Sequence, residues 1–113
     1  TGLSVEETIE IIHSQGGVCV AAHPYRENTP SLGDLIYEYD FDGIEVSNKA
    51  IYNIDATAMK ASKLLNKPAI GGSDAHVLRD VGWCVTVFEE FIEDEESLIK
   101  TIKNKKCYPK IIF

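Results

Sequence analysis

Two side chains that could bind a metal ion lie two positions apart in the second half of the chain. Asp74 and His76 follow the apolar run 69–72. In extended backbone, residues i and i+2 project to the same side, so both side chains can reach one pocket. A carboxylate oxygen and an imidazole nitrogen suit Zn²⁺, Mn²⁺ or Fe²⁺. The pair therefore indicates a metal site, while an ordinary surface contact between Asp and His would have the same spacing.

The other two histidines occupy different sequence environments. His23 directly follows the apolar run 18–22. There it could be a metal ligand, or a histidine that forms a hydrogen bond at the end of a strand. His13 has helical spacing from Glu6 and Glu10, which places it on the polar face of a helix. This spacing predicts that His13 is solvated.

Glu45 is a charged residue within an apolar run. If the run is a strand, Glu45 points away from the side occupied by Ile44 and Val46. A charge within a buried strand needs a partner. Two interpretations remain open: Glu45 supports metal ligands from a second shell, or it forms an ion pair with Lys49 or Arg26.

The segments that carry these side chains alternate between helical and strand patterns. Short apolar runs bounded by turn formers are typical of strands buried on both faces. Strands that alternate with helices are parallel, and ligands then bind beyond their carboxyl ends. The sequence therefore predicts an α/β fold with mainly parallel strands. Ser4 with Glu7, Asn53 and Asp94 are predicted to cap helices. The predicted helices are 3–15, 32–39, 54–65 and 95–103, and the predicted strands are 18–22, 43–46, 69–72, 84–88 and 107–113.

Composition excludes several classes of function. The 113 residues carry 11 basic and 18 acidic side chains, a net charge of −7, which disfavours non-specific binding to nucleic acid or to an anionic membrane. No apolar run approaches the roughly 18 residues that a membrane-spanning helix needs. Three widely spaced cysteines suggest buried thiols and not a disulfide framework. Together with the lack of a visible secretory signal, these features predict a cytoplasmic protein.

Three blocks of sequence together resemble the C-terminal half of a PHP domain, named after polymerase and histidinol phosphatase. They are GGVCVAAHPYR at 16–26, DGIEVSN at 42–48 and AIGGSDAH at 69–76, and Gly82 and Thr86 in VGWCVTVF extend the likeness. The resemblance implies the last β/α units of a distorted (β/α)₇ barrel. It also implies metal-dependent hydrolysis of a phosphate ester or phosphodiester by activated water, with two or three ions at the barrel rim.

The resemblance assigns roles to six residues of this chain. They are His23, Asp74 and His76 as metal ligands, Asp74 and His76 also as catalytic groups, Arg26 near the substrate phosphate, and Glu45 and Asn48 near the rim as second-shell residues. The metal would be Zn²⁺, Mn²⁺ or Fe²⁺. The substrate would be a phosphorylated small molecule or a nucleotide.

The chain also departs from the family pattern. It has three histidines in all, and nothing in it corresponds to the family's early H-x-H pair or to its bridging acidic ligand. Residue 1 is Thr and the sole methionine is Met59, as in a processed chain or a fragment. We therefore expect residues 1–113 to form a single domain or fragment, the C-terminal portion of a PHP domain without its N-terminal half.

Two functional hypotheses follow from this shortage of ligands. In the first, the chain alone has little or no turnover and works together with the N-terminal half, or pairs with a second copy. In the second, it is a non-catalytic association or regulatory module. An H-x-H motif upstream in a longer reading frame would favour the first. A small nucleotide-binding domain is disfavoured because neither a GxGxxG nor a P-loop motif follows a strand.

Overall fold

Helices pack on a small parallel sheet, and a β-hairpin and a second two-stranded antiparallel sheet lie beside it. A computed structural model describes residues 2–113. Within that range the α-helices are α1 (Val5–Ser14), α2 (Ala56–Leu65) and α3 (Glu95–Lys103). The strands are β1 (Val20–Ala21), β2 (Gly43–Glu45), β3 (Ser47–Asn48), β4 (Asn53–Ile54), β5 (Ala69–Ile70), β6 (Cys84–Phe88) and β7 (Cys107–Ile111).

The parallel sheet has the strand order β1-β2-β5. Val20 pairs with Gly43, and Ile44 pairs with Ala69, with all three strands running in the same direction. Parallel neighbours need a crossover connection. The 3₁₀ segment Gly33–Tyr37 lies in the first crossover and α2 in the second. The predicted parallel arrangement of these strands is confirmed, and their carboxyl ends meet at one edge of the sheet.

The remaining four strands pair antiparallel. Ser47 of β3 pairs with Ile54 of β4, and Thr86 of β6 pairs with Pro109 of β7. The prediction of mainly parallel strands therefore holds for β1, β2 and β5 and is wrong for the rest. Pro109 has no backbone N–H to offer a further neighbour. Accordingly, β7 pairs on one side, with β6, in the described residues.

Two of the three predicted helix caps are confirmed. Ser4 and Glu7 form a reciprocal capping box at α1, and Asp94 caps α3. The prediction of Asn53 as the cap of α2 is wrong, because Asn53 belongs to β4. Asp55 takes that role, and its carboxylate accepts the first free N–H groups of α2.

A second correction concerns the predicted helix 32–39. It is a five-residue 3₁₀ segment, Gly33–Tyr37. The segment begins at a glycine with φ +57°, and its three-residue repeat brings fewer side chains to one face than an α-helix does. Ile36 is completely buried, whereas Leu35 and Tyr37 remain exposed.

The core lies between the parallel sheet, α1, α2 and the 3₁₀ segment. Its buried members are Ile9, Cys19, Ala21, Ile36, Phe41, Ile44, Val46, Ala58 and Ala61. The three cysteines are free and buried, as the sequence predicted, and burial raises the pKa of each thiol. None of the helices in residues 2–113 combines the length and the apolar character needed to cross a membrane.

The prediction that His13 is solvated is wrong. Its Nε2 lies 2.8 Å from Asp42 Oδ2, and 29% of the side chain is exposed. The same carboxylate oxygen accepts the backbone N–H of Cys19 at 2.7 Å. Asp42 therefore fastens the end of α1 to the segments that enter β1 and β2.

Candidate active site at the carboxyl ends of the parallel strands

The ends of the three parallel strands converge on the Glu45 carboxylate. Glu45 Oε1 accepts the backbone N–H of His23, which follows β1, at 2.8 Å. A Cβ placed on Gly72, just beyond β5, would lie 2.6 Å from Glu45 Oε2. The partner of Glu45 is thus the backbone of His23 and not Lys49 or Arg26. The Glu45 carboxylate therefore holds the backbone of the candidate ligand His23 in position.

An ion pair joins the loops that follow β1 and β5. The Arg26 guanidinium donates through Nη1 to Asp74 Oδ2, and both side chains are about four-fifths buried, at 18% and 23% exposure. Arg26 Nε is buried and has no hydrogen-bond partner among the described residues. An unsatisfied buried donor is costly, so this nitrogen is well suited to an oxyanion that reaches the loop.

Each candidate histidine uses one ring nitrogen within the protein. His23 Nδ1 lies 3.2 Å from Ser31 Oγ, and His76 Nδ1 lies 3.0 Å from the backbone oxygen of Asp74. In both rings Nε2 is therefore the nitrogen left for a ligand, as far as contacts within residues 2–113 go. A histidine whose Nδ1 is oriented in this way is the common arrangement in metal sites.

Backbone conformation sets two of these residues apart. His23 has φ +22° and Asp74 has φ +49°, both in the left-handed region that side chains other than glycine rarely adopt. Such conformations cost roughly 1–3 kcal/mol each and are concentrated at functional sites. The fold holds both candidate ligands in place at this cost.

The three predicted metal ligands do not gather around one point. Among residues 2–113, one group of His, Cys, Asp or Glu side chains has three ligand atoms within 4.8 Å of one another, and it lies elsewhere. Asp74 is instead paired with Arg26. The donor types of His23, Asp74 and His76 fit a divalent transition ion, but their positions describe only part of a coordination shell.

Asn48 forms its side-chain hydrogen bonds inside the β3–β4 hairpin. Its Oδ1 accepts the N–H of Ala50 at 3.0 Å, and its Nδ2 lies 3.3 Å from Asp55 Oδ2. The residue is buried, at 7% exposure. The structure thus gives Asn48 a role in shaping the turn that follows β2.

Two hydroxyl groups that sequence reasoning gave no role hold the end of β5. Ser47 Oγ contacts the backbone N and O of Gly72 at 2.9 and 2.8 Å. Thr86 Oγ1 does the same for Gly71 at 2.9 and 2.7 Å. Beyond the end of β5, these side chains supply the hydrogen bonds to Gly71 and Gly72 that a neighbouring strand would otherwise supply. A Gly-Gly pair after a predicted strand, together with hydroxyl residues in the segments that form β3 and β6, is the signal that could have predicted them.

The loop from Ser73 to Trp83, which carries the candidate D-x-H pair, is anchored at both ends. Trp83 is 1% exposed, and its Nε1 donates to the Ser73 carbonyl at 2.8 Å. This bond joins the two ends of the loop. Close to Trp83, buried Asp80 accepts the Tyr52 hydroxyl at 2.8 Å and lies 3.7 Å from Lys49 Nζ. The bond to Asp80 raises the pKa of Tyr52. Sequence reasoning assigned no role to these anchors.

We expect Trp83→Phe to loosen this loop. The substitution leaves the Ser73 carbonyl without its donor, and losing one partner of a buried hydrogen bond costs about 1–3 kcal/mol. Urea denaturation should show that decrease, and hydrogen exchange should become faster in residues 73–83. Tyr108→Phe, at a half-exposed position on β7, is the control and should stay within about 0.5 kcal/mol of the parent. Equal stability of the two variants would contradict the anchoring role.

The fold and the strand-end residues define an α/β protein with its candidate site at the carboxyl edge of a parallel sheet. Residues 56–107 match the family model described as PHP-associated. This stretch runs from α2 to the first residue of β7 and includes Asp74 and His76. The match confirms the resemblance to the C-terminal part of a PHP domain. His23 and Arg26 lie before the matched stretch.

One curated relative aligns with part of the chain. It is an uncharacterized protein of the archaeon Methanocaldococcus jannaschii, 55% identical over 47 residues. The alignment covers 42% of this chain and 28% of that protein. The chain thus corresponds to less than a third of the relative that it matches.

Proposed function

We propose that this chain is the C-terminal part of a metal-dependent phosphoesterase of the PHP type. The enzyme would hydrolyse a phosphate ester or phosphodiester of a small molecule or nucleotide. The observation that carries the proposal is the convergence of His23, Glu45, Arg26 and Asp74 where three parallel strands end. The PHP-associated match over residues 56–107 supports it. In this proposal the parallel sheet forms the last part of the family's barrel.

His23, Asp74 and His76 would hold the metal in the complete domain. Because these groups form only part of a coordination shell, the remaining ligands would come from an N-terminal half of the domain. When bound, Zn²⁺, Mn²⁺ or Fe²⁺ supplies the Lewis acidity that activates water and stabilises charge on phosphoryl oxygens. Glu45 contributes by accepting the backbone N–H of His23, which keeps this ligand in position.

Arg26 has two alternative partners in this proposal. In the structure, its guanidinium neutralises Asp74. In the complete domain Asp74 would hold a cation, and the Arg26 guanidinium, whose buried Nε has no partner among the described residues, would be the group that binds a phosphoryl oxygen. Arginine suits this task because its donors match the geometry of phosphate.

His76 is placed to act on the leaving group. Its ring is exposed at the edge of the loop, and the hydrogen bond that Nδ1 donates to the Asp74 carbonyl orients it. The Nε2 atom either binds the metal or, when protonated, donates a proton to the leaving oxygen. The two roles differ in outcome: loss of a ligand lowers metal affinity, whereas loss of the acid slows substrates with poor leaving groups.

The test is a hydrolysis assay on a protein that contains both halves of the domain. With Mn²⁺ or Zn²⁺, we expect turnover of a chromogenic phosphomonoester or phosphodiester, and loss of turnover with a chelator. The 113-residue chain alone should show little or no turnover. Absence of hydrolysis with every divalent ion and both ester types would contradict the proposal and favour a non-catalytic association or regulatory module.

The open edge of β1 is the surface on which the missing half would pair. β1 has one neighbour, β2, in the described sheet, so its other edge offers unpaired backbone groups. We expect an N-terminal half to cover this edge, and a homodimer of the isolated chain is the alternative. Sedimentation equilibrium of the chain with and without the added half would separate the two.

A further inference from the structure

A second cluster of metal-binding side chains lies at the opposite end of the parallel strands. His13 lies in the last turn of α1, Cys19 precedes β1 and Asp42 precedes β2. One ligand atom from each residue lies within 4.8 Å of the other two. The three residues come from separate parts of the chain, so the fold and not local sequence brings them together.

We propose that His13, Cys19 and Asp42 form a binding site for one divalent transition-metal ion of the Zn²⁺ type. Thiolate sulfur, imidazole nitrogen and carboxylate oxygen are the three donor types that Zn²⁺ accepts, and a water molecule would complete a tetrahedron. The site is independent of the candidate active site, because it uses none of the residues at the carboxyl ends of the strands. It therefore does not rest on the proposed function.

The surroundings of the cluster favour a cation. His13 lines a surface cavity of about 330 Å³ whose other charged lining residues are all acidic: Glu6, Glu10, Glu38 and Asp40. Clefts lined by one sign of charge concentrate ions of the opposite sign. The cavity thus gives an ion a negatively charged route from solvent to the His13 ring.

The cluster has a hydrogen-bonding arrangement that a metal would replace. Asp42 Oδ2 lies 2.8 Å from His13 Nε2 and 2.7 Å from the Cys19 backbone nitrogen. Burial, and to a smaller extent the charges of Asp42 and Asp40, raise the pKa of the Cys19 thiol. Coordination exchanges the S–H bond of Cys19 for a sulfur–metal bond, so each bound ion releases that proton to solvent.

Cobalt titration gives a direct test, because Co²⁺ bound to a thiolate has a charge-transfer band in the near ultraviolet. We expect the 113-residue chain to bind one Co²⁺ with this band and Zn²⁺ to displace it. Cys19→Ser should abolish the band and weaken Zn²⁺ binding at least about tenfold. Cys107→Ser is a matched control, since both cysteines are 7% exposed, and it should keep the band. None of the proposed ligands of the candidate active site is a cysteine, and loss of the band in Cys19→Ser assigns it to this cluster.

A second variant protects the test against misfolding. His13→Gln changes a partly exposed side chain and should also weaken Zn²⁺ binding at least about tenfold, with the helical circular dichroism unchanged. The proposal is overturned if the parent chain shows no thiolate band, if the band survives Cys19→Ser, or if His13→Gln binds Zn²⁺ as the parent does. Loss of phosphoesterase activity in the complete domain would leave these results unaffected.

Discussion

Gly71→Ala is expected to lower the free energy of unfolding by about 3 kcal/mol, the upper part of the range for overpacked sites. A Cβ at this position would lie 2.4 Å from the carbonyl oxygen of Val85 and 3.0 Å from Cys84 Sγ. The carbonyl belongs to the backbone of β6, which is fixed by its pairing with β7. Relief therefore requires the β6–β7 sheet to move away from β5, and the Thr86 hydroxyl then loses its contacts with Gly71.

The neighbouring glycine supplies a control for this prediction. At Gly72 the added Cβ meets Glu45 Oε2, the end of a side chain and not backbone, so the carboxylate can shift at the cost of weakening its hydrogen bond with the His23 N–H, and the loss should be smaller than at Gly71. Gly2→Ala, with open space around the position, should be close to neutral. Thermal and urea unfolding should rank the variants in the order Gly2, Gly72, Gly71. If Gly71→Ala were as stable as Gly2→Ala, the tight contact between Gly71 and β6 would be refuted.

Asp74→Asn should reduce metal-dependent turnover by about 100-fold or more in a protein with both halves of the domain. Replacing groups that merely support metal ligands costs 10–100-fold, and Asp74 would bind the ion directly. The amide keeps the size of the side chain but loses its negative charge, so it holds neither a divalent ion nor Arg26 as well. A large loss of turnover with a nearly unchanged fold is therefore expected. Steady-state assays over a range of Mn²⁺ concentrations would measure it.

Asp94→Asn makes the same chemical change far from the site. Asp94 caps α3, and Asn is about as good a cap as Asp, so this variant should retain both stability and activity. A turnover by Asp74→Asn equal to that of Asp94→Asn would remove Asp74 from the metal site. Partial rescue at high Mn²⁺ would support the assignment, because a weakened ligand set can still be filled by mass action.

The fold was predictable where burial alone determines the structure. The runs that became β1, β2 and β5 are apolar because helices cover the sheet, and their order along the chain implies parallel pairing. The β3–β4 hairpin was not predictable in this way. It depends on the Asn48 side chain, which accepts the Ala50 N–H, and on the positive φ of Tyr52, +47°. Neither feature leaves a periodic pattern of hydrophobic residues in the sequence.

The candidate site was predictable in position but not in its contacts. Strand ends indicated His23, Glu45 and Asp74, and the structure brings these segments together. The sequence did not indicate that Glu45 would bind backbone or that Arg26 would pair with Asp74, because both contacts depend on loop conformation. The error at His13 has a similar cause. Helical spacing describes neighbours on α1 itself, whereas Asp42 arrives from 29 positions further along the chain.

The loop from Ser73 to Trp83 is anchored near both of its ends and exposed in its middle. At the start of the loop, the Ser73 carbonyl accepts the Trp83 indole N–H. Near the end of the loop, Asp80 accepts the Tyr52 hydroxyl. Between them Val77 and Leu78 are 50% and 88% exposed. Insertions, deletions or substitutions at Val77 and Leu78 should therefore alter what the loop contacts without displacing Ser73, which precedes Asp74. The exposed middle of the loop is the place at which this scaffold could be given a new recognition surface while Asp74 keeps its position.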